Sequence, residues 1–221
     1  MKHLSIIRVT ACVAGLVGTL ATLPVGAVQA QDLTGRWRVG FRTGLGVRMN
    51  SGTEISSGGV ETRTKASGLL GVLELSHWFS EGLAGTLSAG VLSVGTEARI
   101  GDSAIETRTA SVMPFFIGVR SYMDKAGPQS DTRFFGSVEV GPVTGHEVAS
   151  SIGSTVVAQT ITRTALGGRL GVGADVSLGS RVMLVVGAGF DLMTDFSDPI
   201  GGQKNHSGAD FGLGLGVLFG G

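Results

Sequence analysis

Apolar and polar residues alternate with a period of two along most of this chain. Over 36–48, RWRVGFRTGLGVR, the odd positions hold Trp37, Val39, Phe41, Thr43, Leu45 and Val47, and the even positions hold Arg36, Arg38, Gly40, Arg42, Gly44, Gly46 and Arg48. Such alternation marks a strand whose two faces meet different surroundings. The C-terminal stretch repeats it, with Phe211, Leu213, Leu215, Val217 and Phe219 opposite Gly212, Gly214 and Gly216. Residues 181–194 set Val182, Leu184, Val186, Ala188, Phe190 and Leu192 against Gly187, Gly189 and Asp191. Residues 160–178 set Leu166, Leu170, Val172 and Val176 against Arg163, Gly167, Arg169, Gly171, Gly173 and Asp175. One face is continuously apolar; on the other, charge sits beside glycine.

That partition distinguishes two kinds of barrel. A soluble barrel fills its inside with bulky apolar side chains and puts charge outside. A membrane barrel turns its apolar face to hydrocarbon and keeps a polar interior. Here the charges share a face with glycines, which leave a narrow lumen room for long arginine side chains. Eight segments carry the pattern: 36–48, 62–79, 83–97, 107–123, 133–147, 158–178, 181–194 and 208–219. Each supplies the roughly 9 to 11 tilted residues that span an outer membrane. Ser80–Gly82, 125–132 and Gly179–Ser180 are compact turns. The connections 49–61, 98–106, 148–157 and 195–207 are mostly longer and rich in Gly and Ser. Short periplasmic turns and longer outer loops are the outer-membrane arrangement. The predicted fold is therefore an all-β, eight-stranded antiparallel up-and-down transmembrane β-barrel.

A hairpin repeat supports this. Glu61–Thr64, Glu106–Thr109 and Ile161–Thr164, each with a Thr-Arg-Thr core, open three of the segments. Trp37, Trp78, Phe79, Tyr122, Phe134, Phe135 and Phe219 fall at the expected periplasmic ends as an aromatic girdle, and Phe196 and Phe211 form a sparser outer one. Glu74 breaks the pattern, because it lies an odd number of residues after Arg63. A β-bulge near Gly68 is expected to restore both to one face.

Composition narrows the class further. Of 221 residues, 38 are glycine, 42% are apolar and 15% are charged, and seventeen basic residues balance seventeen acidic ones. The mean hydropathy of +0.33 excludes a disordered chain. The neutral balance leaves no electrostatic footprint for nucleic acid. The N-terminus reads as an export signal: Lys2, His3 and Arg8, an apolar stretch from Val9 to Ala27, then Val28-Gln29-Ala30. Cleavage is expected before Gln31, which makes 1–30 a signal peptide and 31–221 the barrel domain. Cys12, the single cysteine, falls in the signal. The exported chain then has no thiol for a disulfide or for thiolate chemistry.

The signal, the eight segments and the closing GLGVLF resemble the small OmpA-type and OmpX-type outer-membrane β-barrel family. Gly214, Val217 and Phe219 resemble the C-terminal signal that such proteins present to the barrel-assembly machinery, although Gly220 and Gly221 follow the aromatic here. The resemblance implies a monomer set in outer-membrane lipids and lipopolysaccharide. Arg38, Arg42, Arg120, Glu139, Arg163, Arg169, Asp175 and Asp191 all fall on the predicted lumen face. Buried charges must pair, so these eight are expected to form a salt-bridge network that plugs the barrel.

The expected role is structural or surface-interacting. A narrow solute channel is the alternative, and a lipid hydrolase a more remote one. His206, Ser207 and Asp210, with His146 and Glu147, lie near the outer rim, but adjacent strand residues point to opposite faces. No catalytic residue, cofactor or metal is assigned. Asp195 and Asp198 alone fall far short of a calcium site.

Overall fold

The computed structural model describes residues 32–49, 55–57, 60–62, 67–100, 105–123, 131–152 and 156–220. The proposed signal peptide and Arg63 lie outside these. Ten strands follow in order: β1 Trp37–Arg48, β2 Ile55–Ser57, β3 Val60–Thr62, β4 Ser67–Ser80, β5 Leu83–Ile100, β6 Ile105–Tyr122, β7 Thr132–Ile152, β8 Val156–Ser177, β9 Val182–Met193 and β10 Gly208–Phe219. Eight of them close into an antiparallel barrel in the order β1-β10-β9-β8-β7-β6-β5-β4, and β2 and β3 pair only with each other. The eight correspond to the segments read from periodicity, but with shifted bounds: the second begins at Ser67 rather than at residue 62, and β5 and β7 run on to Ile100 and Ile152, into the stretches 98–106 and 148–157 that were expected to be outer connections. Closure runs from Trp37 opposite Phe219 to Arg48 opposite Gly208, so at the height of β1 and β10 the wall has no free sheet edge.

Polarity reverses across this wall. Phe41, Leu73, Leu87, Ile117, Val138, Leu170 and Leu215 face outward and are 53–64% exposed. Their inward neighbours include Arg38, Arg120 and Arg169, all at most 4% exposed. The glycines do make room for these arginines: a Cβ on Gly216 would sit 2.6 Å from Arg38 Cδ, and one on Gly212 would sit 2.9 Å from Arg42 Cγ.

The wall is of uneven height. β7 and β8 have 21 and 22 residues where β1, β9 and β10 have 12. Where β6 to β8 rise past their shorter neighbours, the exposed positions become polar: Arg108, Thr109, Gln159, Thr160, Thr162 and Thr164. Mid-wall, Pro114 has no N–H to donate. The β5–β6 ladder skips from Ala89–Phe115 to Leu92–Val112, and the β6–β7 ladder from Pro114–Val143 to Ile117–Val140.

Two expectations need correction. No bulge lies near Gly68: β1 and β4 pair without a shift from Val47–Ser67 to Trp37–His77. Glu74 is simply an inward residue, in phase with Leu70, Val72, Ser76 and Trp78. The shift in β4 comes instead between Trp78 and Ser80, at the turn into β5. The inner girdle is also smaller than predicted. Trp37, Phe79, Phe134 and Phe219 are exposed, but Trp78, Tyr122 and Phe135 point inward and are buried, as alternation requires of the pairs Trp78-Phe79 and Phe134-Phe135. At the outer end Phe196 is buried rather than exposed, and Phe211 is half-buried.

Candidate functional site

The lumen is filled in three layers. The floor, at the end where β1 begins and β10 finishes, is apolar and aromatic: Leu33, Trp78, Ala84, Tyr122, Phe135, Met183, Val185 and Leu218. Trp78 stacks on Tyr122 at 5.8 Å, and Phe135 meets Tyr122 edge-on at 5.9 Å. The floor also supports cations, since the Arg120 guanidinium lies 4.0 Å from the Phe135 ring centre.

Above the floor lies an ionic layer with two groups. In the first, Arg38 donates to Glu74 and, at 2.6 Å, to Asp175. Arg120 donates to the other Glu74 oxygen at 2.6 Å, Tyr122 donates its hydroxyl to Asp175 at 2.7 Å, and Ser76 donates to Glu74 at 2.9 Å. In the second, Arg169 grips Asp191 with two hydrogen bonds, at 2.7 and 3.1 Å. Asp210 lies 3.3 Å from Arg169 and 3.5 Å from Arg42, and Arg48 lies 3.5 Å from Asp191. Glu139 accepts from Ser88 at 3.0 Å. Several of these carboxylates take donors from two or more strands, so the bonds cross-link the barrel from within. A cavity of about 20 Å³ remains between Arg38, Arg42, Glu74, Arg120 and Phe135, room for about one water molecule.

Seven of the eight sequence-predicted lumen charges, Arg38, Arg42, Arg120, Glu139, Arg169, Asp175 and Asp191, stand in this layer. Arg163 does not. It has the inward phase but sits on β8 above the height of β9, whose last partner is Met193 opposite Gly167. There it is substantially exposed and pairs with Asp198 at 2.6 Å. Arg48, Asp210 and Tyr122 were missed, and Glu74, expected on the lumen face only by way of a bulge, joins the layer without one. Arg48 already stood among the even positions of 36–48, in phase with Arg42, and Asp210 lies one step of the alternation before Gly212, so the phase alone places both inward.

The third layer is an apolar chamber in the outer half of the barrel, walled by Leu70, Val72, Leu92, Val94, Ala110, Val112, Phe116, Val143 and Ala165. Its roof is the β9–β10 loop, residues 194–207, which lowers Phe196 and Ile200 into it until they are 1% and 0% exposed. The loop turns back through Gly201 and Gly202, both at positive φ, where a side chain would be strained. Polar contacts hold it: Gly201 N donates to Glu147 at 2.8 Å, Phe196 N to Lys204 O at 2.7 Å, and Asn205 Nδ2 to Met193 O at 2.8 Å and to Asp195 at 2.9 Å. His206 is buried with Nε2 2.9 Å from Ile200 O. Burial pushes its pKa below the ordinary imidazole value. The hydrogen bond from Arg163 holds the Asp198 carboxyl below the usual carboxylate range.

The residues considered for hydrolysis are not brought together. Ser207 Oγ accepts from Met193 N at 3.0 Å, His206 faces Ile200 O, and Asp210 is tied into the ionic layer. His146 Nδ1 lies 3.0 Å from Thr162 Oγ1, and Glu147 holds Gly201. Asp195 and Asp198 take different partners, Asn205 and Arg163. In β10, Gly214 points inward, while Val217 and Phe219 are exposed on the outer face.

Closed strand pairing, an apolar exterior and an ion-paired interior together define a transmembrane β-barrel of the small outer-membrane type. No family model and no curated protein matches the chain. Among solved structures it is similar to the attachment invasion locus protein Ail of Yersinia pestis, at 13% identity and a TM-score of 0.48, covering 84% of this chain and 99% of that one. Neisserial surface protein A is similar at 11% and 0.46, covering 84% and 98%. OprG of Pseudomonas aeruginosa is similar at 14% and 0.41, covering 88% and 100%. The barrel assignment rests on the pairing described above and not on these likenesses.

Proposed function

We propose that the chain is an integral protein of a bacterial outer membrane, exported with residues 1–30 removed before Gln31, and that its role is structural or surface-interacting. The observation that carries this reading is the reversal of polarity across a closed wall. Large hydrophobics more than half exposed all around the outside are costly in water and favourable in hydrocarbon. Several charges held inside by hydrogen bonds, with space for about one water between them, favour a sealed lumen over a channel. The polar extension of β6 to β8 above the apolar belt is the surface offered to lipopolysaccharide or to other proteins. Gly214, Val217 and Phe219, in the strand that closes the barrel, serve as the signal to the assembly machinery.

The test is export in a Gram-negative host. The protein is expected in the outer-membrane fraction, with a gel mobility in SDS that changes on boiling. A cysteine at Ser197 in the outer loop should react with an impermeant maleimide on intact cells, whereas one at Glu81 in the inner turn should not. Recovery in the soluble fraction with one mobility before and after boiling would refute membrane insertion.

A further inference from the structure

We propose that the apolar outer chamber is a binding site for an uncharged aromatic or short hydrocarbon molecule, and that Phe196 and Ile200 occupy it in cis until such a molecule displaces them. Four observations converge on this.

First, the chamber wall is formed by a contiguous apolar cluster, with His206 and Glu147 at its upper border, although the layer directly below it is ionic. An inward position that needed only to be filled could be filled by a bulky wall residue. Instead the wall beneath the loop is built of small side chains: Ala110, Ala165, Val94 and Val143. Gly145 enlarges the recess further, since a Cβ there would come within 2.8 Å of Ile200 and 3.1 Å of Phe196. The space is thus shaped by the wall and filled from outside it.

Second, the filling side chains belong to a loop and not to a strand, so they can leave without breaking the ladder. Third, besides the buried contacts of Phe196, Ile200 and His206, the loop is held by polar contacts, one of them exposed. The Arg163–Asp198 pair is exposed, at 39% and 56%, and such pairs contribute little in water. The turn at Gly201 and Gly202 is of the kind that accommodates large backbone changes. Fourth, the ionic layer closes the chamber below. A ligand entering from outside reaches a blind pocket whose last contacts are Phe116 and Val143, and this geometry suits retention of an apolar ligand.

This inference rests on the membrane-barrel reading, so the protein is first shown to be folded by its heat-modifiable gel mobility. The protein, carrying Cys12→Ser so that no native thiol competes, is purified from the host outer membrane into phosphatidylcholine nanodiscs. A nitroxide is attached through Ser197→Cys. Titration with naphthalene should convert the label saturably from a restrained to a mobile signal, and naphthalene-2-sulfonate should not. A label at Glu81→Cys should remain unchanged, which separates pocket binding from bilayer partitioning. Asp198→Asn, by loosening the rim, should lower the half-saturating concentration by about twofold to fivefold. Filling the chamber with Ala165→Phe, or with the milder Ala110→Leu where the larger change impairs folding, should raise it at least tenfold. A correctly folded barrel whose Ser197 label does not respond, responds equally to the sulfonate, or responds equally in the filled variant would overturn the proposal.

Discussion

Replacing Asp175 by asparagine should destabilise this barrel more than any exposed charge change, and the geometry sets the scale. Asp175 is 0% exposed, accepts hydrogen bonds from Arg38 at 2.6 Å and Tyr122 at 2.7 Å, and lies 3.9 Å from Arg120. Asparagine keeps the volume and one acceptor but removes the charge, which leaves Arg38 and Arg120 sharing Glu74 alone. Breaking a buried pair in this way costs about 3–5 kcal/mol, because a charge remains desolvated without its partner. With a urea dependence of about 2 kcal/mol per molar, the unfolding midpoint in lipid vesicles, followed by tryptophan fluorescence, should fall by roughly 2 M. Removing both charges together, with Arg38→Met and Asp175→Asn, should cost less than the two single changes added. The expected coupling is about 2 kcal/mol, above the roughly 0.5 kcal/mol scatter of independent sites. A single variant within about 0.5 kcal/mol of the wild type, with no coupling, would show that lumen water solvates these groups and would refute a dry ionic layer.

Three further outcomes follow from the same geometry. Leu73→Arg on the lipid face should cost about 2–4 kcal/mol, whereas Val148→Arg, near the top of the wall, should cost under about 1 kcal/mol; equal costs in the same unfolding assay would contradict the position assigned to the belt. Gly216→Val would push against Arg38 Cδ and should lower stability by about 2–4 kcal/mol, and by less in an Arg38→Ala background, read as a double-variant cycle. His206 should make the outer loop pH-sensitive. Its folded-state pKa is depressed by burial, with the Arg48 cation also disfavouring a second charge. The stability of the closed loop is therefore fully present above the ordinary imidazole value of about 6.5 and is lost as pH falls below it. Protection against hydrogen exchange at residues 196–206, taken relative to the intrinsic rate at each pH, should fall below that value in the wild type but not in His206→Gln.

Much of the wall was legible because alternation is enforced at every residue once one face meets lipid and the other a narrow lumen. Arg38 and Arg42 fell on the correct face because one phase runs through all of β1. Glu74 was misread for an instructive reason: its phase was counted from Arg63, which lies outside the described residues, instead of from Ser76 and Trp78 beside it. Trp78, Tyr122 and Phe135 were assigned to a girdle by their height along the barrel, although neighbouring aromatics on one strand cannot share a face. The chamber roof left almost no trace in the sequence. Loops carry no period, so the burial of Phe196 and Ile200 follows only from tertiary packing. The Pro199-Ile200-Gly201-Gly202 run marks a turn and does not say what the turn covers. Arg163 shows the complementary limit: the phase gave its face correctly, but the height of the neighbouring strand decided that it stands above the ionic layer.

Planar-bilayer recording of the purified, heat-modifiable protein decides whether its own side chains close the lumen, as proposed. No steady conductance above the bare bilayer is expected, and none in the Arg38→Ala, Arg120→Ala, Glu74→Ala combination either, because the aromatic floor and the outer apolar layer still close the lumen. Steady ohmic channels from the unaltered protein would contradict that closure.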